Sequence, residues 1–182
     1  LMVAANDADG FVGGAANTTA ETVRAALHCI GSAPGIKTVS SVFLMAVPDT
    51  SFGHQGMLAF ADCAVVIEPS PTELADIAIA TAKSTRALLD CEPIVALLSY
   101  STKGSGKGPR IDAVVEAFRT VQQRAPDLHI DGELQAVGLA QRTGSVDDSG
   151  TNLSRGVFAS CTWSHRRRDV SAGSRRNCFC GA

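Results

Sequence analysis

The sequence lacks the features that mark membrane, secreted or repetitive proteins. No apolar run approaches the roughly 18 residues that a membrane-spanning helix needs, and no basic segment precedes an apolar one as in a secretory signal. No fixed repeat stands out, and most of the chain lacks a disulfide framework, which fits a reducing cytoplasm. Hydrophobic residues make up 45% and charged residues 19% of the 182 positions, which is typical of globular proteins. We therefore expect a cytoplasmic globular chain with a sizeable core and no membrane partner.

Lysine is missing from the last 46 residues, and this divides the chain by charge. Residues 137–182 hold seven Arg and three Asp, a net charge of +4, with three of the six Cys and the single Trp. The first 136 residues hold nine basic and fifteen acidic side chains, a net charge of −6. We therefore consider the two parts separately.

The first 136 residues alternate between patterns that are typical of strands and of helices. In chain order we predict a strand end at 10–16, a helix from Thr18, strands at 38–47 and 57–67, a helix at 71–89, a strand at 93–99, a helix at 110–124 and a short strand at 128–130. Such alternation predicts an α/β fold with a mainly parallel sheet and flanking helices. Ligands of these sheets bind beyond the carboxyl ends of strands, which directs attention to the turns after residues 14 and 99.

The segment SYSTKGSGKG at 99–108 follows a predicted buried strand and precedes a helix. Its glycines, hydroxyl groups and two lysines suit an oxyanion such as phosphate. It does not have the Walker A spacing, because Gly108 follows Lys107 where a Ser or Thr is required. A flexible solvated turn explains the composition equally well.

A second candidate segment, GGAANTTAETVR at 13–24, opens the first helix. Thr18 and Glu21 fit a capping box, and Arg24 with the helix-end N–H groups could clamp a phosphate. An ordinary capped helix with an exposed arginine is the competing interpretation, and the residues alone favour it. Asp131 and Glu133 could orient a cation, hold a basic side chain across a cleft, or simply belong to a turn. The histidines have no spacing that suggests a metal site.

These segments together resemble phosphate acetyltransferase (phosphotransacetylase). The likeness runs from about residue 2 to 136 in order and spacing, and the motifs STKGS at 101–105 and IDGELQ at 130–135 make it specific. The wider family includes phosphate butyryltransferase and a non-catalytic acyl-CoA-sensing or dimerisation module fused to some malic enzymes. The STKGS motif favours the true acyltransferase over that module.

The resemblance implies a two-domain α/β fold similar to isocitrate and isopropylmalate dehydrogenases, of which this chain holds an incomplete part. Residues 1–35 would end the first domain and 36–136 would belong to the second. The implied reaction moves an acetyl group reversibly between coenzyme A and inorganic phosphate, with no metal and no cofactor other than coenzyme A as a substrate. The implied enzyme is a cytoplasmic homodimer that binds acetyl phosphate or phosphate and no nucleic acid.

The resemblance also implies roles for particular side chains. Arg24 matches an arginine that contacts the phosphoryl group, and Thr18 and Thr19 lie where the family places hydroxyl residues near that phosphate. The facing side of the cleft would be lined by Ser101, Thr102, Lys103 and Ser105.

The sequence departs from the family at both ends. A full member begins well before Leu1, and two motifs that follow IDGELQ are missing. Ser154 and Arg155, within NLSRG, match a catalytic pair near the family's end, but Cys161 stands where the family has the aspartate proposed to activate the thiol. The NLSRG match could be a remnant after an internal deletion, or it could be a chance match. We expect this chain to be inactive by itself, because one wall of the cleft and the base are missing.

The rest of the C-terminal segment, residues 137–182, resembles no known domain. It contains one Arg triplet and one Arg pair, abundant Ser and Gly, and no Lys, and this composition suggests a shifted reading frame. The arginines could instead bind nucleic acid, and Cys161, His165, Cys178 and Cys180 could bind zinc, although Cys-x-Cys is tighter than usual zinc spacing. We predict a disordered or non-native segment.

Overall fold

A computed structural model describes residues 1–34 and 36–136, together with the backbone of a strand at 156–160. The elements in chain order are α1 (Thr19–Cys29), β1 (Val42–Ala46), β2 (Met57–Ala61), α2 (Pro71–Leu89), β3 (Ile94–Leu98), α3 (Pro109–Arg124), β4 (His129–Leu134) and β5 (Gly156–Ser160). No helix in this part of the chain is both long and apolar enough to span a lipid bilayer.

The five strands form one sheet in the order β1-β2-β5-β3-β4. Strand β5 runs parallel to both β2 and β3, and β4 runs parallel to β3, whereas β1 pairs antiparallel with β2 at an edge. The mixed α/β architecture and its mainly parallel sheet are therefore confirmed. The strand end predicted at 10–16 is wrong, because no residue of that segment is in a strand. The run there is short and glycine-rich, and glycine gives a strand little side-chain surface to pack.

Helices α1 and α2 begin with the same local arrangement. The hydroxyl of Ser70 accepts a hydrogen bond from the N–H of Glu73 at 3.3 Å, and the Glu73 carboxylate accepts one from the Ser70 N–H at 2.9 Å. Thr18 and Glu21 make the equivalent pair at α1, which confirms the predicted capping box. The pKa of Glu73 is lowered because the backbone and side chain of Ser70 both donate hydrogen bonds to its charged form.

The core lies between one face of the sheet and the helices α2 and α3. Val95 and Leu97 of β3 point toward the helices and are fully buried, while Ala96 between them faces the opposite side of the sheet. The helices contribute an interlocking set of apolar side chains: Leu74, Ala75, Ala78, Ala82, Val114, Ala117 and Val121. In contrast, α1 buries none of its residues. The packed unit is therefore the sheet with α2 and α3.

Part of the C-terminal segment lies within this sheet. Strand β5 occupies the central position, with Val157 opposite Val95 of β3 and Ala59 of β2. The remaining residues of 137–182 lie outside those that the structure describes. The domain boundaries at 35 and 136 stay predictions.

Candidate functional site

The β3–α3 loop (residues 99–108) lies at the edge of the sheet where β3 and β4 both end. The two strands are parallel, so their carboxyl ends meet at the same edge. The Ser99 N–H donates to the Leu134 carbonyl at 2.8 Å, and the Gln135 side-chain amide donates to the Tyr100 carbonyl at 2.7 Å. The STKGS and IDGELQ motifs, 25 or more residues apart in sequence, therefore form one structural unit.

The six consecutive backbone N–H groups at 101–106 all donate within the protein. Their acceptors are the Ser99 hydroxyl for Ser101, the Ser105 hydroxyl for Thr102, the Glu133 carbonyl for Lys103, the Glu133 carboxylate for Gly104, the Thr102 carbonyl for Ser105 and the Ser101 hydroxyl for Gly106. A phosphate-binding loop of the Walker type instead leaves such groups free to cradle the anion. An oxyanion at this loop would therefore have to be bound by side chains.

Ser101 and Glu133 form the interior of the loop. Ser101 is 0% exposed and Glu133 is 3% exposed. The Ser101 hydroxyl donates to Glu133 Oε1 at 2.8 Å and accepts from the Gly106 N–H at 2.9 Å. Of the four residues predicted to line a cleft here, Ser101 is thus the one that is buried.

Lys103, Thr102 and Ser105 lie nearer the surface. Lys103 is exposed and forms an ion pair with Asp131, and its ammonium lies 5.9 Å from the centre of the Phe118 ring. Thr102 is half-buried, and its hydroxyl accepts from the Gln135 N–H at 2.9 Å. Lys103 and Gly104 adopt left-handed backbone conformations, with φ of 47° and 81°. That turn directs the lysine outward while the chain reverses.

Sequence reasoning weighed Asp131 and Glu133 without assigning them to the site. Both lie inside β4 and not in a turn, and Asp131 does hold a basic side chain, that of Lys103. No local sequence signal finds them, because the register of β4 against β3 shifts between Gly132 and Leu134, at Glu133, and such a bulge interrupts the alternation of faces. Lys107, the second lysine of the loop, is exposed, and no ion pair is recorded for it within the described residues.

The residues predicted on α1 form a separate group. Thr18 is the helix cap, and its hydroxyl donates to the Glu21 carboxylate at 2.9 Å. The hydrogen bonds from Thr18 lower the pKa of Glu21. Thr19 and Arg24 are exposed. Among the described residues, no recorded hydrogen bond or ion pair joins α1 to the β3–α3 loop, so these residues remain two separate candidate surfaces.

Ser154 and Arg155, the predicted catalytic pair, lie outside the described residues. The next residue along the chain, Gly156, pairs with Ile94 at the amino end of β3. The β3–α3 loop follows the opposite end of that strand. The assignment of Ser154 and Arg155 stays a prediction.

The described residues do not include a ready metal site. No group of three or more His, Cys, Asp or Glu side chains in that part of the chain is arranged to hold a metal ion. The chemistry that the loop does offer is that of a cationic, hydroxyl-bearing surface beside two carboxylates.

Comparisons with known proteins agree on one family. A family model described as phosphate acetyl/butaryl transferase matches residues 1–140. A phosphate acetyltransferase of Clostridium acetobutylicum is 51% identical over 127 residues, which cover 70% of this chain and 38% of the relative. A phosphate acetyltransferase of Nitrosomonas europaea is 49% identical over 135 residues, 74% of this chain and 18% of the relative. This chain therefore spans less than half the length of these curated relatives.

Solved structures show the same likeness. A phosphotransacetylase from Streptococcus pyogenes superimposes with a TM-score of 0.69 at 39% identity, over 88% of this chain and 48% of that one. A phosphotransacetylase from Staphylococcus aureus gives a TM-score of 0.69 at 37% identity, over 88% and 49%.

Proposed function

This chain belongs to the phosphate acetyl/butaryl transferase family, and from that premise we propose that it takes part in the reversible transfer of an acetyl group between coenzyme A and inorganic phosphate. The observation that carries the proposal is the 51% identity to a phosphate acetyltransferase. The motifs that carried the resemblance, STKGS and IDGELQ, form a single hydrogen-bonded unit at the carboxyl edge of the sheet, where ligands of α/β sheets bind.

The reaction requires groups that stabilise negative charge. The thiolate of coenzyme A attacks the carbonyl carbon of acetyl phosphate, the C–S bond forms, and the C–O bond to phosphate breaks. Charge develops on the carbonyl oxygen and on the departing phosphate, and cations and hydroxyl donors stabilise it. In our proposal Lys103, Thr102 and Ser105 supply such groups from the β3–α3 loop, and Arg24 supplies a guanidinium fork from α1. Ser101 shapes the loop from inside.

The proposal extends to the surroundings of the reaction. We propose a two-domain arrangement similar to isocitrate and isopropylmalate dehydrogenases, a homodimer and a cytoplasmic location, with no metal and no cofactor. The homodimer is supported by the edge strand β1, where Phe43, Leu44 and Met45 are 43%, 37% and 46% exposed. A butyryl group is the second candidate, because the family description covers both acyl chains.

A chimeric enzyme tests the proposal. Residues 1–136 replace the matching segment of the Clostridium acetobutylicum enzyme, and formation of acetyl-CoA from acetyl phosphate and coenzyme A is measured. We expect the chimera to be active and the 182-residue chain by itself to be inactive, because the family match ends at residue 140 and the chain spans less than half the length of these relatives. A folded chimera without activity would contradict the proposal. Butyryl phosphate in place of acetyl phosphate distinguishes the two acyl groups.

Arg24 provides the decisive variant within the chimera. Arg24→Ala should lower kcat/KM by roughly a hundredfold or more, which is typical when a transition-state charge donor is removed. Arg119→Ala, at an exposed position of α3, is the matched control and should leave kcat/KM unchanged.

A further inference from the structure

Glu133 is a buried carboxylate that the proposed reaction does not use. Only 3% of the residue is exposed, and a carboxylate in such a position needs hydrogen-bond donors. One of its oxygens, Oε1, accepts from the Ser101 hydroxyl at 2.8 Å and from the Gly104 N–H at 2.7 Å. The backbone carbonyl of the same residue accepts from the Lys103 N–H at 3.2 Å. One residue of β4 thus binds three residues of a loop on the neighbouring strand.

The loop donates two hydrogen bonds to this carboxylate, one from a hydroxyl and one from a backbone N–H. The Ser101 hydroxyl that donates to Glu133 also accepts from the Gly106 N–H, so the carboxylate organises a second layer of the loop through it. Hydrogen bonds to a charged acceptor are about twice as strong as neutral ones. The internal anion therefore fixes the backbone from which Lys103 and Ser105 extend.

We propose that Glu133 is a positioning residue: its carboxylate occupies the interior of the β3–α3 loop and holds Lys103 in place to bind the phosphate of the substrate. The part that concerns phosphate rests on the proposed function. The backbone of Lys103 agrees with this role. Its φ of 47° is a left-handed conformation that a non-glycine residue keeps only where surrounding contacts hold it.

The experiment uses limited trypsin digestion of the full 182-residue chain, because Lys103 and Lys107 are both trypsin sites inside the loop. Cleavage rates at the Lys103–Gly104 and Lys107–Gly108 bonds are measured by mass spectrometry and compared with the rates at Lys83 and Arg119. We expect cleavage in the loop to be about fivefold faster in Glu133→Gln and faster still in Glu133→Ala, since a neutral acceptor is weaker and a missing one frees the loop. Cleavage at Lys83 and Arg119 should not change.

Glu116→Gln is the matched control, since Glu116 is exposed on α3, and it should cleave as the wild type does. Unchanged loop cleavage in the Glu133 variants, or equal acceleration at every site, would overturn the proposal. If Glu133→Ala fails to fold, Glu133→Gln decides alone, because it keeps the shape of the side chain.

Titration with inorganic phosphate, at an ionic strength held constant with potassium chloride, separates positioning from a merely structural role. Phosphate should slow cleavage after Lys103 in the wild type, and Glu133→Gln should require about fivefold more phosphate for half protection. Equal phosphate requirements would overturn the positioning role. Absence of protection in the wild type would count against the phosphate-binding function of the loop, while the cleavage rates would still decide whether Glu133 holds the loop.

Discussion

Asp62 shows how one buried carboxylate can fix a junction after a strand. It follows β2, is 4% exposed, and accepts hydrogen bonds from the Ser41 N–H and hydroxyl and from the N–H groups of Val65 and Val66. Burial by itself would raise the pKa of Asp62, but these hydrogen bonds outweigh it, so the pKa is lowered from its usual 3.8. The charged form is therefore the one that stabilises the folded chain.

Substitution of this carboxylate should make stability depend less on pH. A lowered folded-state pKa means that the stabilisation is fully present above about pH 3.8 and is lost as the pH falls through the folded value. We expect Asp62→Asn to lower the free energy of unfolding by about 1–3 kcal/mol at pH 7, because its amide cannot accept all four bonds. The difference in the free energy of unfolding between the variant and the wild type, measured by urea denaturation, should become smaller from pH 4 to pH 2.5. A difference that does not change with pH would contradict this account, and Asp127→Asn, at an exposed position, is the control.

The ion pair between Lys103 and Asp131 should compete with an anionic ligand. The two side chains are 52% and 18% exposed, and pairs of this kind contribute about 0.2–1 kcal/mol. Asp131→Asn should therefore strengthen phosphate binding by up to about fivefold in isothermal titration calorimetry. Glu92→Gln, which breaks the exposed pair with Arg86, should have no effect. Weaker phosphate binding in Asp131→Asn would show that Asp131 orients Lys103 for the ligand instead.

Residue roles were predictable only as far as local sequence determines them. The Thr18 capping box was predicted because its partners are three residues apart. The buried position of Ser101 and the exposed position of Lys103 were not predictable in this way. They depend on Glu133, which is 32 residues from Ser101 along the chain. A hydroxyl in a Gly- and Ser-rich loop has the same local sequence whether it faces a ligand or a buried carboxylate.

At the level of the elements, removal of the same type of helix cap should destabilise the protein to a different extent in α1 and in α2. Helix α2 packs against the sheet, whereas α1 buries none of its residues. Ser70→Ala should lower global stability by about 1 kcal/mol, measured by chemical denaturation. Thr18→Ala removes the same hydrogen bond but should leave the global midpoint nearly unchanged and speed amide hydrogen exchange in α1 alone. Equal global losses would show that α1 unfolds together with the sheet.

The core face of α2 gives a second comparison along one helix. Leu74 is 1% exposed within the core, whereas Leu88 is 61% exposed. Leu74→Ala should cost about 2–5 kcal/mol, because it removes buried surface and leaves a cavity. Leu88→Ala should change the free energy of unfolding by less than about 0.5 kcal/mol. Similar losses from the two variants in urea denaturation would contradict the packing of α2.

Helices were predicted more accurately than strands. The prediction of a helix at 71–89 agrees with α2 in full, because Ser70, Pro71 and Glu73 are strong local start signals. The strands predicted at 38–47 and 57–67 are shorter in the structure, at 42–46 and 57–61. A strand ends where its neighbour ends, and that limit is set by pairing between distant segments.

At the level of the whole molecule, β5 joins two halves of the sheet. Without it, β1 and β2 would form one antiparallel pair, and β3 and β4 would form one parallel pair. Each half would present an edge of unpaired backbone groups. No local pattern predicts this, because the five-residue stretch GVFAS within an Arg-rich segment does not reveal its partners 60 or more residues earlier.

Truncation should therefore show how far the C-terminal segment takes part in the fold. A chain that ends at residue 155 loses β5, and we expect it to aggregate or to lose its cooperative thermal transition, because two-stranded units are marginal in water and open edges associate. A chain that ends at residue 161 retains β5 and is the matched control, with a transition close to that of the full chain by circular dichroism. The sequence divides at residue 136 by charge, but the sheet continues to residue 160. If both truncated chains melt at the same temperature, the charge boundary is also the boundary of the folded unit; if only the longer chain melts cooperatively, the segment contributes its central strand to the fold.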